Sequence, residues 1–212
     1  DLKEGGTWLG LNRKNGRLTA ITNYRDPRLE RPDAVSRGYL PLNYLSGQHN
    51  PLGYMKQVQK ECRQYNGFNL LAGNAEALFY LSSAEQKVNR VEPGIYGLSN
   101  ASLNTPWYKV KRGKKMLEDI AFSNSFTPQD LLEGLYDLEK PPRYELPNTG
   151  ISFKLEYELA SMFIKMKGYG TCSSAVTLID RKGNYGFVQR VYQPVTGIAK
   201  DYEFSFTIDP EN

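Results

Sequence analysis

Apolar and polar residues alternate through residues 5–12 and again through 17–22, and the two runs flank Lys14-Asn15-Gly16. Trp8 and Gly10 fall on one face against Thr7, Leu9 and Leu11, while Leu18, Ala20 and Thr22 share a face of the second run. A period of two is the signature of strands, and an Asn-Gly pair suits the positive φ that both central residues of a type I′ turn need. The pattern predicts a β-hairpin ending at Asn23-Tyr24-Arg25. Asp26-Pro27 and Arg31-Pro32 interrupt it, and the spacing then becomes helical: Tyr39, Leu42, Tyr44 and Leu45 within residues 35–46, and Leu52, Met55, Val58 and Cys62 within 51–65. Pro51 suits a first helical turn because its missing N–H would have no partner there. Strand patterns resume at 67–72, 77–81, 87–91 and 94–98.

The second half repeats the alternation of element types. A helix is predicted from Pro106 through Trp107, Val110 and Leu117 to Phe122, and another from Thr127, with Thr127 as N-cap, Pro128 in the first turn and Leu131, Leu132 and Leu135 as the buried stripe. Residues 141–148 read as a loop. Strands follow at 175–179, 185–192 and 202–208, with Arg181-Lys182-Gly183-Asn184 as a turn. Strands and helices in segregated blocks define an α+β class dominated by antiparallel sheet, in which two sheets can pack face to face with helices outside. A chain of 212 residues supports one substantial core, so a single domain over residues 1–212 is expected.

Charge narrows the partners. The net charge of +4 is interspersed, and its densest patch, Lys109 to Lys115, reads as a solvated helix face in preference to a site for phosphates or anionic lipid. No base-reading motif accompanies it, so nucleic acid is not an expected partner. Two cysteines, Cys62 and Cys172, do not make a disulfide framework and fit a reducing compartment, the cytoplasm. No apolar run is long enough for a membrane helix. The sequence starts at Asp1, without Met, one step before a strand-like segment, and further residues are expected to precede it.

Familiar chemistry is scarce. The one histidine, His49, lies in a predicted loop between helices, which removes multi-histidine metal sites and leaves a loop role or axial haem ligation. No metal site and no cofactor are predicted. Polar residues collect instead at strand ends. Asn23 and Asn100 are either turn residues or carboxamide donors to a developing oxyanion. Trp8 and Trp107 either pack or line a ligand cleft, and Arg25 and Arg37, with Tyr24 alongside, are the best candidates for an anionic group on a ligand. Cys172, ahead of Ser173, is either a half-buried structural thiol or a reactive one, and Cys62 falls in a helix stripe and reads as core.

Five ordered blocks alter this weighting: Gly5-Gly6-Thr7-Trp8-Leu9-Gly10; Gly16 through Thr22-Asn23-Tyr24-Arg25; Tyr65-Asn66-Gly67-Phe68-Asn69-Leu70; Gly94 through Leu98-Ser99-Asn100-Ala101 with Thr105-Pro106-Trp107; and Gly168-Tyr169-Gly170-Thr171. In this order they resemble the NRDE, transport and Golgi organisation-like, family. The resemblance implies a four-layer αββα sandwich of the N-terminal-nucleophile hydrolase type. It implies a cysteine nucleophile in a segment ahead of Asp1, amide hydrolysis, and oxyanion roles for Asn23 and Asn100. It also implies, as the alternative to an amide substrate, a non-catalytic carrier of haem or of an acyl-CoA-like ligand. The Met-Cys start and Asn-Arg-Asp-Glu stretch of that family are not in this sequence, and Cys172 stands where many of its members carry arginine.

Overall fold

The computed structural model describes residues 4–123, 125–193 and 199–208. Contacts divide them into two units. The first holds residues 4–94 and 98–103 with Ile208, the second residues 95–97 and 104–207.

The first unit begins with the predicted hairpin. Strand β1 (Leu9–Leu11) pairs antiparallel with β2 (Leu18–Asn23), Leu9 opposite Ala20. Its turn differs from the expectation: Gly16 alone has positive φ, +65°, and the loop closes through Asn12 N–H on the Arg17 carbonyl and Gly16 N–H on the Asn12 carbonyl. Six residues span the connection, so Asn15 need not enter the left-handed region. Beyond a 3-10 turn at Pro27–Leu29 come α1 (Tyr39–Ser46) and α2 (Pro51–Glu61). Asn50 caps α2, accepting from Gly53 N–H at 2.7 Å, with Pro51 in the first turn as expected. Arg17 reaches the far end of α1, donating to the carbonyls of Tyr44, Gly47 and His49, where a cation complements the partial negative charge of a helix C-terminus.

A second 3-10 turn, Cys62–Gln64, leads into β3 (Phe68–Gly73), β4 (Leu78–Ser82) and β5 (Lys87–Val91). The sheet is an antiparallel meander in the order β1-β2-β3-β4-β5. On one face Ile21, Phe68, Leu70, Ala72 and Leu81 pack against Leu40, Tyr44, Met55 and Val58 of the helices. On the other, the polar residues Thr22, Asn69 and Tyr80 hold the 98–103 segment. The predicted strand at 94–98 does not form, because the Gly97 N–H and carbonyl both bond to Asn104 and no sheet edge is offered to them.

The second unit has α3 (Tyr108–Ala121) and α4 (Pro128–Leu135), the latter closed by the expected Thr127 cap, here a full capping box with Asp130. A short α5 (Phe153–Glu158), capped by Ser152, lies beyond the loop read at 141–148, which itself contains a 3-10 turn at Arg143–Glu145. The pair β6 (Lys165–Met166) and β7 (Tyr169–Gly170) precedes β8 (Ser173–Ile179), β9 (Asn184–Tyr192) and β10 (Ala199–Thr207), ordered β10-β9-β8. Leu131 and Leu132 of α4 share a core with Val176 and Val188 of the sheet.

The mixed α+β class stands, and the four-layer sandwich is corrected. A sandwich needs the inner faces of two sheets to share one apolar core. Among the described residues each apolar cluster joins one sheet to helices: α1 and α2 in the first unit, α4 in the second. Both larger sheets are open meanders.

Candidate functional site

The site in the first unit is built where three pieces of chain meet: residues 4–8, the end of β2, and the 32–38 run leading into α1. Gly6 and Gly38 make this approach possible. A Cβ on Gly6 would lie 2.6 Å from the Gly38 carbonyl carbon, and Thr7 N–H donates to the Gly38 carbonyl at 3.1 Å. The resulting cleft has a volume of about 440 Å³, within the range of small-molecule sites, and Trp8, Asn23, Ser36 and Arg37 are among its lining.

Arg37 is half-buried, and Nη1 donates to the Gly67 carbonyl at 2.9 Å, the one hydrogen bond of its guanidinium among the described residues. Burial lowers its pKa from the ordinary guanidinium value, and the charge of Glu30 pulls the other way. Asn23 lies in register with Phe68, which puts its side chain on the helix-bearing face of the sheet, and that carboxamide has no hydrogen bond among the described residues. Ser36 is half-buried, with its hydroxyl likewise without a hydrogen bond among them. Trp8 is 55% exposed and forms a wall. Glu4 also lines the cleft and Glu30 acts on Arg37, so the cationic character of the site is local to one guanidinium.

Asn100 is close to Asn23 but occupied. Its Nδ2 donates to the Asn23 carbonyl at 3.0 Å, and its Oδ1 accepts from Arg25 Nη2 at 3.3 Å and Ser99 Oγ at 3.4 Å. Arg25 is engaged there as well, its N–H on the Asn100 carbonyl at 2.7 Å. Tyr24 lines a different groove, with Arg28, Arg31 and Arg63. Trp107, at the start of α3, and Cys172 and Ser173, at the start of β8, belong to the second unit. The Cys172 thiol is exposed, against the half-buried expectation, and sits 3.6 Å from the Gly170 carbonyl. Cys62 is buried as expected, and burial pushes its thiol up to about 11. His49 offers its backbone carbonyl to Arg17. Sequence reasoning missed Ser36 and the Gly6–Gly38 contact; a small polar residue ahead of an Arg-Gly pair was the signal for the first, and nothing local signals the second.

The basic patch of α3 behaves as a helix face with internal partners. Lys109 Nζ donates to the Leu159 carbonyl, Lys111 pairs with Glu145, Arg112 with Asp137, and Lys115 with Asp119, while Lys114 donates to Asn104 Oδ1. Among the described residues no group of three His, Cys, Asp or Glu side chains is placed to hold a metal ion, and no helix is long and apolar enough to cross a membrane.

Open antiparallel sheets carrying helices on a face, with a donor-lined cleft at a strand end, define an α+β protein with a small-molecule-sized site. The chain belongs to the Transport and Golgi organisation 2 family, whose family model matches residues 1–194. It is 36% identical over 202 residues to the Transport and Golgi organization protein 2 homolog of Bos taurus, covering 89% of this chain and 72% of the relative. Identity to the Homo sapiens homolog is 35% with the same coverage, and to Transport and Golgi organization protein 2 of Drosophila melanogaster 25% over 226 residues, covering 97% of this chain and 77% of the relative.

These findings correct the reading drawn from the NRDE resemblance. They place the chain in the Transport and Golgi organisation 2 family and give no support to an N-terminal-nucleophile hydrolase or to a nucleophile in a preceding segment. The amidohydrolase assignment is withdrawn on those findings; of the two asparagines given oxyanion roles by the resemblance, Asn100 has both ends of its carboxamide bonded and Asn23 lines the cleft. The haem or acyl-CoA carrier assignment has no support either.

Proposed function

We propose that the protein binds a small monoanionic molecule in the cleft at the start of α1, and that it serves the transport and Golgi organisation for which its relatives are named. The observation that carries this is Arg37. A guanidinium taken partly out of water beside one neutral carbonyl has lost hydration without gaining a bonded counter-charge, an arrangement that an incoming carboxylate completes. Asn23 and Ser36 supply neutral polar groups on the same cleft, and the Trp8 ring supplies an apolar surface for the body of the ligand. Glu4 and Glu30 disfavour a polyanion there.

Trp8 provides the test, because the sequence has only two tryptophans. In a Trp107→Phe background, a panel of small aliphatic and aromatic carboxylates is titrated while indole emission is followed. At least one is expected to change the emission saturably. Arg37→Ala is expected to weaken that binding by at least about tenfold, or roughly 1.4 kcal/mol, with Asn23→Ala showing a smaller loss. Binding that is unchanged in Arg37→Ala, or no saturable binding at millimolar concentration, rejects the proposal.

A further inference from the structure

A second cavity of the first unit is more strongly cationic than the first. It measures about 500 Å³ and lies along the chain before β3. Three arginines line it, Arg28, Arg31 and Arg63, together with Tyr24, Tyr65 and Leu29, and no carboxylate is among the described residues of its lining.

The arginines are held differently. Arg31 is fixed by main chain: its N–H donates to Asn66 Oδ1 at 2.8 Å, its carbonyl accepts from Asn66 Nδ2 at 2.9 Å, and its Nη2 donates to the carbonyls of Arg63 and Tyr65 at 2.7 and 3.2 Å. Those acceptors are neutral, so they orient the guanidinium without cancelling its charge. Arg63 sits in the 3-10 turn Cys62–Gln64, and among the described residues its side chain makes no hydrogen bond and no ion pair. Arg28 is bound bidentately by Asp26, Nε to Oδ1 and Nη2 to Oδ2, both at 2.8 Å, which removes most of its charge from the account. Glu61 acts on the Tyr65 phenol, whose pKa is raised chiefly by burial. Two guanidiniums therefore remain for a ligand, one of them pre-oriented.

The rings give the groove its second feature. Tyr65 is braced edge-on by Phe68, with ring centroids 6.0 Å apart. Tyr24 is placed by the absence of a side chain on Gly67, where a Cβ would stand 3.1 Å from both the Tyr24 Cβ and its carbonyl oxygen. Arginine forks match phosphate oxygens, and exposed aromatic faces stack planar rings.

We infer that this groove is a binding site for a phosphate-bearing ligand, the phosphate taken by Arg31 and Arg63 and an attached planar ring lying against Tyr24 and Tyr65. It is a separate cleft from that of Arg37, which is suited to a single carboxylate, and the two meet at Gly67, whose carbonyl accepts from Arg37.

Isothermal titration of the whole chain at low salt uses three probes: pyrophosphate for the anion alone, ADP for anion plus ring, and vesicles of phosphatidylcholine with and without a phosphoinositide for a lipid headgroup. Pyrophosphate and ADP are expected to bind, ADP more tightly, and affinity is expected to fall with added salt. Arg63→Ala is expected to weaken both by about tenfold or more, and because that side chain has no partner among the described residues the fold should be retained, as circular dichroism will verify. Tyr24→Ala is expected to weaken ADP while sparing pyrophosphate, and an excess of a small carboxylate at constant ionic strength is expected to displace neither, which separates failure here from failure of the first cleft. Phosphoinositide vesicles bound in an Arg63-dependent manner, without ADP, would keep the phosphate and assign it to lipid, overturning the ring. No binding by any probe, or binding indifferent to Arg63, overturns the site.

Discussion

Asn69 provides the sharpest test of how the first unit is assembled. It is fully buried in the middle of β3, on the face opposite α1 and α2, and its carboxamide makes three bonds. Nδ2 donates to the Ala101 carbonyl at 2.9 Å and to Thr22 Oγ1 at 3.2 Å, and Oδ1 accepts from the Tyr80 hydroxyl at 3.0 Å. Thr22 in turn donates to the Ser99 carbonyl at 2.7 Å, and Tyr80 accepts from Leu103 N–H at 3.0 Å, so one side chain coordinates the hold of the sheet on residues 98–103. Asn69→Leu keeps the number and branching of the side-chain heavy atoms, and takes the donor from the Ala101 carbonyl and the acceptor from the Tyr80 O–H. At about 1–3 kcal/mol for each buried orphan, the loss is about 2–6 kcal/mol, a large share of a typical domain stability of about 5–15 kcal/mol. Asn69→Ala adds a cavity and is expected to cost more. Equilibrium unfolding in urea, followed by far-ultraviolet circular dichroism and by tryptophan emission, measures both. If Asn69→Leu stays within about 0.5 kcal/mol of the native chain, less than one typical net hydrogen bond, the polar network is not what fastens 98–103 to the sheet.

Two further outcomes follow from charge and burial. Asp201 of β10 is held below the usual carboxylate range by hydrogen bonding to Arg190 of β9, Nε and Nη2 each at 2.8 Å, so its contribution is complete above the ordinary carboxylate pKa of about 3.9 and disappears as pH falls through the lowered native value; the stability gap between the native chain and Asp201→Asn, about 0.2–1 kcal/mol at pH 7, should narrow as pH is taken progressively below about 3.9 in urea titrations. With its thiol pushed up to about 11 and buried in the α1–α2 core, Cys62 should resist alkylation under native conditions at pH 8 while the exposed Cys172 reacts, and mass spectrometry of labelled peptides before and after denaturation should show one modification, then two.

What could be read from the sequence was what a short stretch of chain decides alone. The β1–β2 pairing, though not the turn type, the Pro51 start of α2 and the Thr127-Pro128 start of α4 each depend on residues within a few positions, and each forms as the pattern implies. The 94–98 stretch fails the same test for a physical reason: it has the composition of a strand, but its main-chain bonds go to Asn104, a partner that no period reveals. The pattern allowed a sandwich without requiring one. Alternation shows that a strand has two faces and leaves open whether a sheet or a helix covers one of them, and here helices cover it.

The same distinction separates the candidate residues. Asn23 and Asn100 share a sequence context, a polar residue where a strand-like run ends, yet the first has an unengaged carboxamide on a cleft while the second is fastened to the main chain of the first. Arg25 and Arg37 divide in the same way, one tied to Asn100 and the other bonded to a single carbonyl among the described residues. Residue type specifies what a side chain can bind, and the number of partners already supplied by distant chain decides whether that capacity is left for a ligand. A sequence-level search for sites in such a family therefore gains most from predicting which polar side chains the fold will satisfy, since those with capacity to spare, such as Arg37, Asn23 and Arg63, are the ones on which the proposed sites rest.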